Sequence, residues 1–133
     1  MRDPIEIVEA FGGFDEAILR DFRFVGSTFV LEMVFDVTWS LRHLGQKTTE
    51  GQLVELTFTG VDEVRVRNDF PPTIVDASQI GWSHNEVALA VAGADDLPRA
   101  EAGRQWLSFL WERDQRIDIL FREVVAGWVT PGG

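Results

Sequence analysis

Apolar and polar residues alternate with a period of two through most of this chain. In Gln52–Phe70, Val54, Leu56 and Phe58 fall on one side and Glu55, Thr57 and Thr59 on the other. After Gly60 the rhythm resumes, with Val64, Val66 and Phe70 against Glu63, Arg65, Arg67 and Asp69. Such alternation marks a half-buried strand. Two strands joined through Gly60-Val61-Asp62-Glu63 predict an antiparallel sheet with one dry and one wet face. The longest run is Phe29–Trp39, where Phe29, Leu31, Met33, Phe35, Val37 and Trp39 line the expected core side. A strand from Ile18 to Val25 precedes it across the turn Gly26-Ser27-Thr28, so the two read as a hairpin.

Further along, a weaker strand is expected over Thr73–Trp82, followed by the turn-rich Ser83-His84-Asn85. Val87, Leu89 and Val91 then alternate with Glu86, Ala88 and Ala90. The small residues on that second face predict close approach by another layer or by a partner. Leu107, Phe109 and Trp111 alternate again. Residues 117–128 fit two templates. Ile117, Ile119 and Phe121 suit a strand, whereas Ile117, Leu120, Phe121, Val124, Val125 and Trp128 suit a helix capped by Asp114 and stopped by Gly127, and on counting alone the helix template wins.

Three stretches lack the alternation. Asp3-Pro4-Ile5-Glu6 opens a short helix, with Asp3 as cap, Pro4 at the first helical position and Gly12-Gly13 as its end. Ile5 and Val8, with Phe11 close by, form its expected apolar face. Ser40–Gly51 is a polar loop with room for one helical turn. Gly93–Gly103 is the clearest loop and the one linker-like segment, but too little chain follows it for another domain. The resulting expectation is a mainly β chain, bordering on α+β. It forms an antiparallel sheet or sandwich of about seven or eight strands with one short N-terminal helix, in a single domain over 1–133.

Composition supports that picture. A chain of 133 residues, 45% apolar with ten Phe and five Trp, suits one domain able to bury about two-thirds of its unfolded surface without a metal or disulfide. The absence of Cys excludes disulfides, thiolate metal sites and Cys nucleophiles. The N-terminal stretch carries charges and a Pro where a signal peptide needs an unbroken apolar run. No window of 18 apolar residues offers a membrane span. A cytoplasmic location is expected, with leaderless export also compatible.

Charge changes the functional picture most. Twenty-two acidic residues against twelve basic ones leave a net charge of −10. Such a field disfavours nucleic acid and anionic membranes and favours a basic protein or cationic ligand, while solubility alone is the plainer reading of it. Catalytic patterns are missing. His43 and His84 are isolated, and zinc wants three or four ligands in defined geometry. Ser83 and His84 are sequence neighbours, whose side chains diverge in an extended chain. Asp15-Glu16, Asp62-Glu63 and Asp95-Asp96 are acidic pairs, but adjacency does not set the carboxylate separation that glycoside hydrolysis needs. No glycine-rich phosphate loop, G-x-S-x-G or H-E-x-x-H is present. No cofactor and no metal are expected. Most of the Trp are expected in the core, with Trp82 and Trp128 the more exposed pair.

Phe11-Gly12-Gly13, the box Phe14-Asp15-Glu16-Ala17, the segment Leu56-Thr57-Phe58-Thr59-Gly60-Val61 and the return Val64-Arg65-Val66-Arg67-Asn68-Asp69-Phe70 occur in that order. As an ordered set they resemble the immunity protein 50 family of small bacterial domains, over roughly residues 5–92. The box departs from the family pattern, with Asp15 in place of His and Glu16 in place of Asp. The resemblance implies a mostly antiparallel fold, favours strands at the C-terminus, and implies a non-enzymatic role in binding and blocking a toxin. Acidity suits a basic toxin as partner, and a homodimer is compatible. The acidic loop residues Asp15, Glu16, Asp62, Glu63, Asp95 and Asp96 are the default binding face. The alternatives are a small-molecule-binding β domain or an interaction domain of another kind, with a hydrolase using carboxylates or His84 the remotest.

Overall fold

The chain begins where the helix signals place it. Asp3 Oδ1 accepts a hydrogen bond from the Ile5 amide at 2.8 Å and caps α1 (Pro4–Ala10), with Pro4 in its first turn. A single 3-10 turn, Gly12–Phe14, follows. The computed structural model describes residues 1–26, 29–47, 51–67, 87–111 and 115–129. The remaining elements are β1 (Ile18–Phe24), β2 (Val30–Asp36), α2 (Thr38–His43), β3 (Leu53–Thr59), β4 (Glu63–Arg67), β5 (Leu89–Ala92), β6 (Gln105–Leu110), β7 (Arg116–Phe121) and β8 (Glu123–Trp128). The strand expected over 73–82, the turn at 83–85, and Trp82 and His84 lie outside the described residues.

Among the described residues, eight strands form two four-stranded antiparallel sheets, in the orders β1-β2-β3-β8 and β4-β7-β6-β5. β2, β3, β6 and β7 turn their apolar rows inward, and these interdigitate as sandwich layers do, whereas Phe24 of β1, Val66 of β4 and Leu89 of β5 are exposed. Leu31, Met33, Phe35, Val54, Leu56, Phe58 and Val124 come from the first sheet. Ala90, Leu107, Phe109, Ile117, Ile119 and Phe121 come from the second. Phe35 and Phe109 stack across the layers at 4.7 Å, and Phe58 meets Phe121 edge-on at 4.9 Å.

The two strands around Gly60 are not partners of each other, contrary to the expected single sheet. β3 lies in one sheet and β4 in the other. The chain turns a corner at Gly60–Asp62, and the strands it pairs with turn one at Arg122 between β7 and β8. Hydrogen bonds Arg122 N to Thr59 O (3.1 Å) and Asp62 N to Leu120 O (2.9 Å) carry the pairing through the bend. Gly60 is required here. Its φ is +61°, and a Cβ would stand 2.8–2.9 Å from the side-chain carbons of Arg122. The corner also explains the double reading of 117–128. Phe121 and Val124 are both buried, three residues apart, because the bend shifts the phase of the alternation. That spacing imitates a helix, but β7 and β8 are strands.

At the opposite side, Glu16 N bonds Val87 O (2.9 Å) and Val87 N bonds Ala17 O (2.7 Å). These bonds tie the chain before β1 to the chain before β5. β5 buries Ala90, whereas Leu89 is exposed, so the small-residue face meets the other layer. Three further expectations change at element ends. Phe29 and Trp39 are exposed, because β2 ends at Asp36 and Trp39 belongs to α2. In α1 the buried positions are Pro4 and Ile7, followed by Phe11, whereas Ile5 faces solvent. The segment 93–103 is no linker. The Trp106 indole donates to Pro98 O at 2.9 Å, and Arg116 pairs with Asp96, which straps this loop over the outer face of the second sheet. No helix among the described residues is long and apolar enough to cross a membrane.

Candidate functional site

The end of the sandwich carrying both helices is built around a strained turn. Gly12, Gly13 and Phe14 have φ of +59°, +73° and +58°, and Glu16 has +63°. Glycine adopts such angles freely, while Phe and Glu do so at a cost. The turn is held because the Phe14 ring is fully buried among Phe11, Phe35 and Phe109, with centroids 5.1–5.4 Å away. The backbone of the next residues is spent on neighbours. Asp15 O accepts from Ser40 Oγ of α2 at 2.7 Å, and Glu16 N reaches Val87 O. The Phe14-Asp15-Glu16-Ala17 box is therefore a structural knuckle. The carboxylate of Asp15 makes no hydrogen bond or ion pair among the described residues, so it does not close an Asx turn.

This knuckle turns the side chains of Asp15 and Glu16 outward. Leu44 and Leu89 flank the glycine pair, each with a carbon 3.3 Å from where a Cβ on Gly12 or Gly13 would stand. They are 46% and 49% exposed, a large share for leucines, and they make a shallow apolar saddle whose floor has no side chains. At its rim, His43 Nε2 and Glu16 Oε2 are 2.9 Å apart, and the Arg42 guanidinium lies over Trp39 at 4.6 Å.

The hydrogen bond to Glu16 raises the pKa of His43, helped by the charges of Glu16 and Asp15 and opposed by desolvation. A raised folded-state pKa gives stabilisation that is complete below the unfolded value of about 6.5 and is lost as pH rises through the folded value. In an NMR titration, His43 should therefore titrate at higher pH in the parent protein than in Glu16→Gln. Identical midpoints would mean that the contact does not form in solution.

The other expected acidic residues are scattered and mostly neutralised. Asp62 is held by Arg104, which also reaches Glu101 at 3.3 Å. Glu63 pairs with Arg65 at 3.1 Å. Asp96 is gripped by Arg116 at 2.5 and 3.2 Å, while Asp95 is exposed. The six therefore make no single patch. Asp15 and Glu16 share the helical end, Asp62 and Glu63 sit at the β3–β4 corner, and Asp95 and Asp96 ride on the strap.

Two features escape a reading of the sequence. One is the leucine saddle, since Leu44 lies in a polar stretch and Leu89 belongs to an alternation that suggests core. The other is a buried polar layer on the outer face of the second sheet. There Arg116 Nε and Nη2 donate to Asp118 Oδ1 at 2.9 and 2.7 Å, beside Ser108. Asp118 alternates with Ile117 and Ile119 as a solvent-facing residue would. It is buried nevertheless, paired with Arg116, which the strap holds through Asp96. Among the described residues, no group of three or more His, Asp or Glu is placed to hold a metal ion. Searches against protein-family models, curated proteins and solved structures return no significant match.

Proposed function

We propose that this chain is a non-enzymatic binding protein, an immunity-type inhibitor that holds a basic partner protein against its helical end. The observation that carries the reading is the half-exposed pair Leu44 and Leu89, astride a glycine floor and near the exposed carboxylate of Asp15, which makes no ion pair among the described residues. A dry centre with a charged rim is the anatomy of a protein interface. The exposed Asp15 carboxylate carries the sign of the whole chain, at −10, and that net charge steers encounter with a basic partner from a distance. The resemblance of the 11–17 and 56–70 segments to immunity proteins points the same way. The alternative, a ligand pocket between the sheets, draws no support from an interior occupied by Phe14, Phe35, Phe58, Phe109 and Phe121.

The test is co-expression with the products of neighbouring reading frames, followed by titration at low and high salt. A basic partner should co-purify, and its association rate should fall steeply as salt rises. Leu44→Ser combined with Leu89→Ser should weaken binding at least about tenfold, as loss of central apolar contacts does. If no neighbouring product binds, the immunity reading fails. If a partner binds but ignores both leucines, the helical end is not its contact face.

A further inference from the structure

The strongest unexplained feature lies away from the helical end and is independent of the reading above. Register places Arg67 of β4 directly opposite Arg116 of β7, and Arg65 directly opposite Asp118. Like charges facing each other across strands repel. On this face Arg65 pairs with Glu63 and Arg116 with Asp118, which leaves the charge of Arg67 as a local positive excess. The same face holds Ser108, directly opposite Asp118 on β6. Its Oγ is fully buried and has no hydrogen-bond partner, an uncommon state for a buried hydroxyl.

What settles this face is a carboxylate delivered from outside the sheet. Asp96, on the strap, meets Arg116 Nη1 and Nη2 in a two-point grip. Arg116 is only 8% exposed, and its Nε side is already taken by Asp118. Asp96 is 57% exposed. The hydrogen bonds of Arg116 hold the Asp96 carboxyl below the usual carboxylate range, and the charge of Arg67 adds to this. So Asp96 acts as an anion bonded to Arg116 and within the field of Arg67, but it arrives on a loop and remains largely in water.

We propose that Arg116 and Arg67 form a binding site for a small oxyanion, a carboxylate or a phosphate, which Asp96 now fills as a tethered occupant. The guanidinium of Arg116 offers the planar two-point geometry that such groups select. Arg67 supplies the second charge, and Ser108 an unspent hydroxyl in the same layer. The strap makes the site self-inhibited. A tethered group competes at an effective concentration on the order of millimolar, so a free anion enters only by displacing Asp96. Trp106 reports the event, because its indole N–H is bonded to Pro98 of the same strap and its ring lies 5.3 Å from the Arg65 guanidinium.

The experiment is an NMR titration of the full chain with inorganic phosphate and, separately, acetate, at constant ionic strength. The Arg116 Nε–H and Trp106 Nε1–H signals are followed in the parent, in Asp96→Asn and in Asp96→Ser, the Ser variant covering the case in which Asn keeps the strap closed. At least one variant should show saturable shifts with one of the anions, at least about tenfold tighter than the parent. Arg67→Ala in that background should weaken binding at least about tenfold. Whichever anion saturates at the lower concentration identifies the source chemistry. Absence of saturable shifts in both folded variants would overturn the proposal, as would binding indifferent to Arg67→Ala. Loss of the dispersed spectrum in both variants would show that Asp96 is a structural latch, which also overturns it.

Discussion

Replacing Arg116 by Met should destabilise the fold by about 3–5 kcal/mol. The substitution keeps an apolar stem of similar length but leaves Asp118, whose side chain is 4% exposed, as an unpaired charge inside the protein. Asp96 loses the same partner at little cost, because it already faces water. Ser108 Oγ stands opposite Asp118 with no other partner and can offer one hydrogen bond, which favours the lower end of the range. The companion variant, Arg116→Met with Asp118→Leu, should recover most of the loss, since an apolar pair replaces a desolvated ion pair with little net penalty. Urea denaturation with an unchanged m-value measures both. A single variant within about 1 kcal/mol of the parent would mean that water reaches this layer.

Phe14 should show a comparable loss with an inverted order of substitutions. Its ring is fully buried and touches three others, so Phe14→Ala should cost about 3–5 kcal/mol. Its backbone, however, sits at φ +58°, which penalises any residue with a Cβ by about 1–2 kcal/mol. Glycine is normally the worse of the two small residues, by roughly 0.5–1 kcal/mol in regular structure. At this position Phe14→Gly should be the milder change, because it removes the same ring and also relieves the turn. Thermal or urea unfolding of the two variants decides the order. If Gly proves less stable than Ala, the positive φ of the knuckle is not the conformation held in solution.

How much of this was readable in advance can be judged residue by residue. The inward row of β2 (Leu31, Met33, Phe35) and that of β3 (Val54, Leu56, Phe58) follow directly from alternation, and all six are buried. So do the Asp3 cap and the Pro4 start of α1. The reading fails where one period gives way to another. Trp39 continues the arithmetic of β2, yet the chain has already turned into α2. Ile5 and Ile7 are both apolar, and only the docking of α1 against the sandwich selects Ile7. The Asp15-Glu16 pair was visible as two acids in a turn. Nothing in the order of residues shows that the turn would expose both while Leu44 and Leu89 close in on either side.

By itself the sequence determined an antiparallel, mainly β chain with a capped N-terminal helix and a Phe-rich interior. Those properties are local, because alternation and capping act between neighbouring residues and need no knowledge of partners. Tertiary structure alone decided that the strands around Gly60 part into two sheets, since a corner depends on Arg122 passing over a residue without a Cβ. It also decided which charges remain free. Asp62, Glu63 and Asp96 carry the same formal charge as Asp15, but Arg104, Arg65 and Arg116 reach them from other positions in the chain or sheet. Ion pairing and burial depend on distances through space, and composition fixes only their sum.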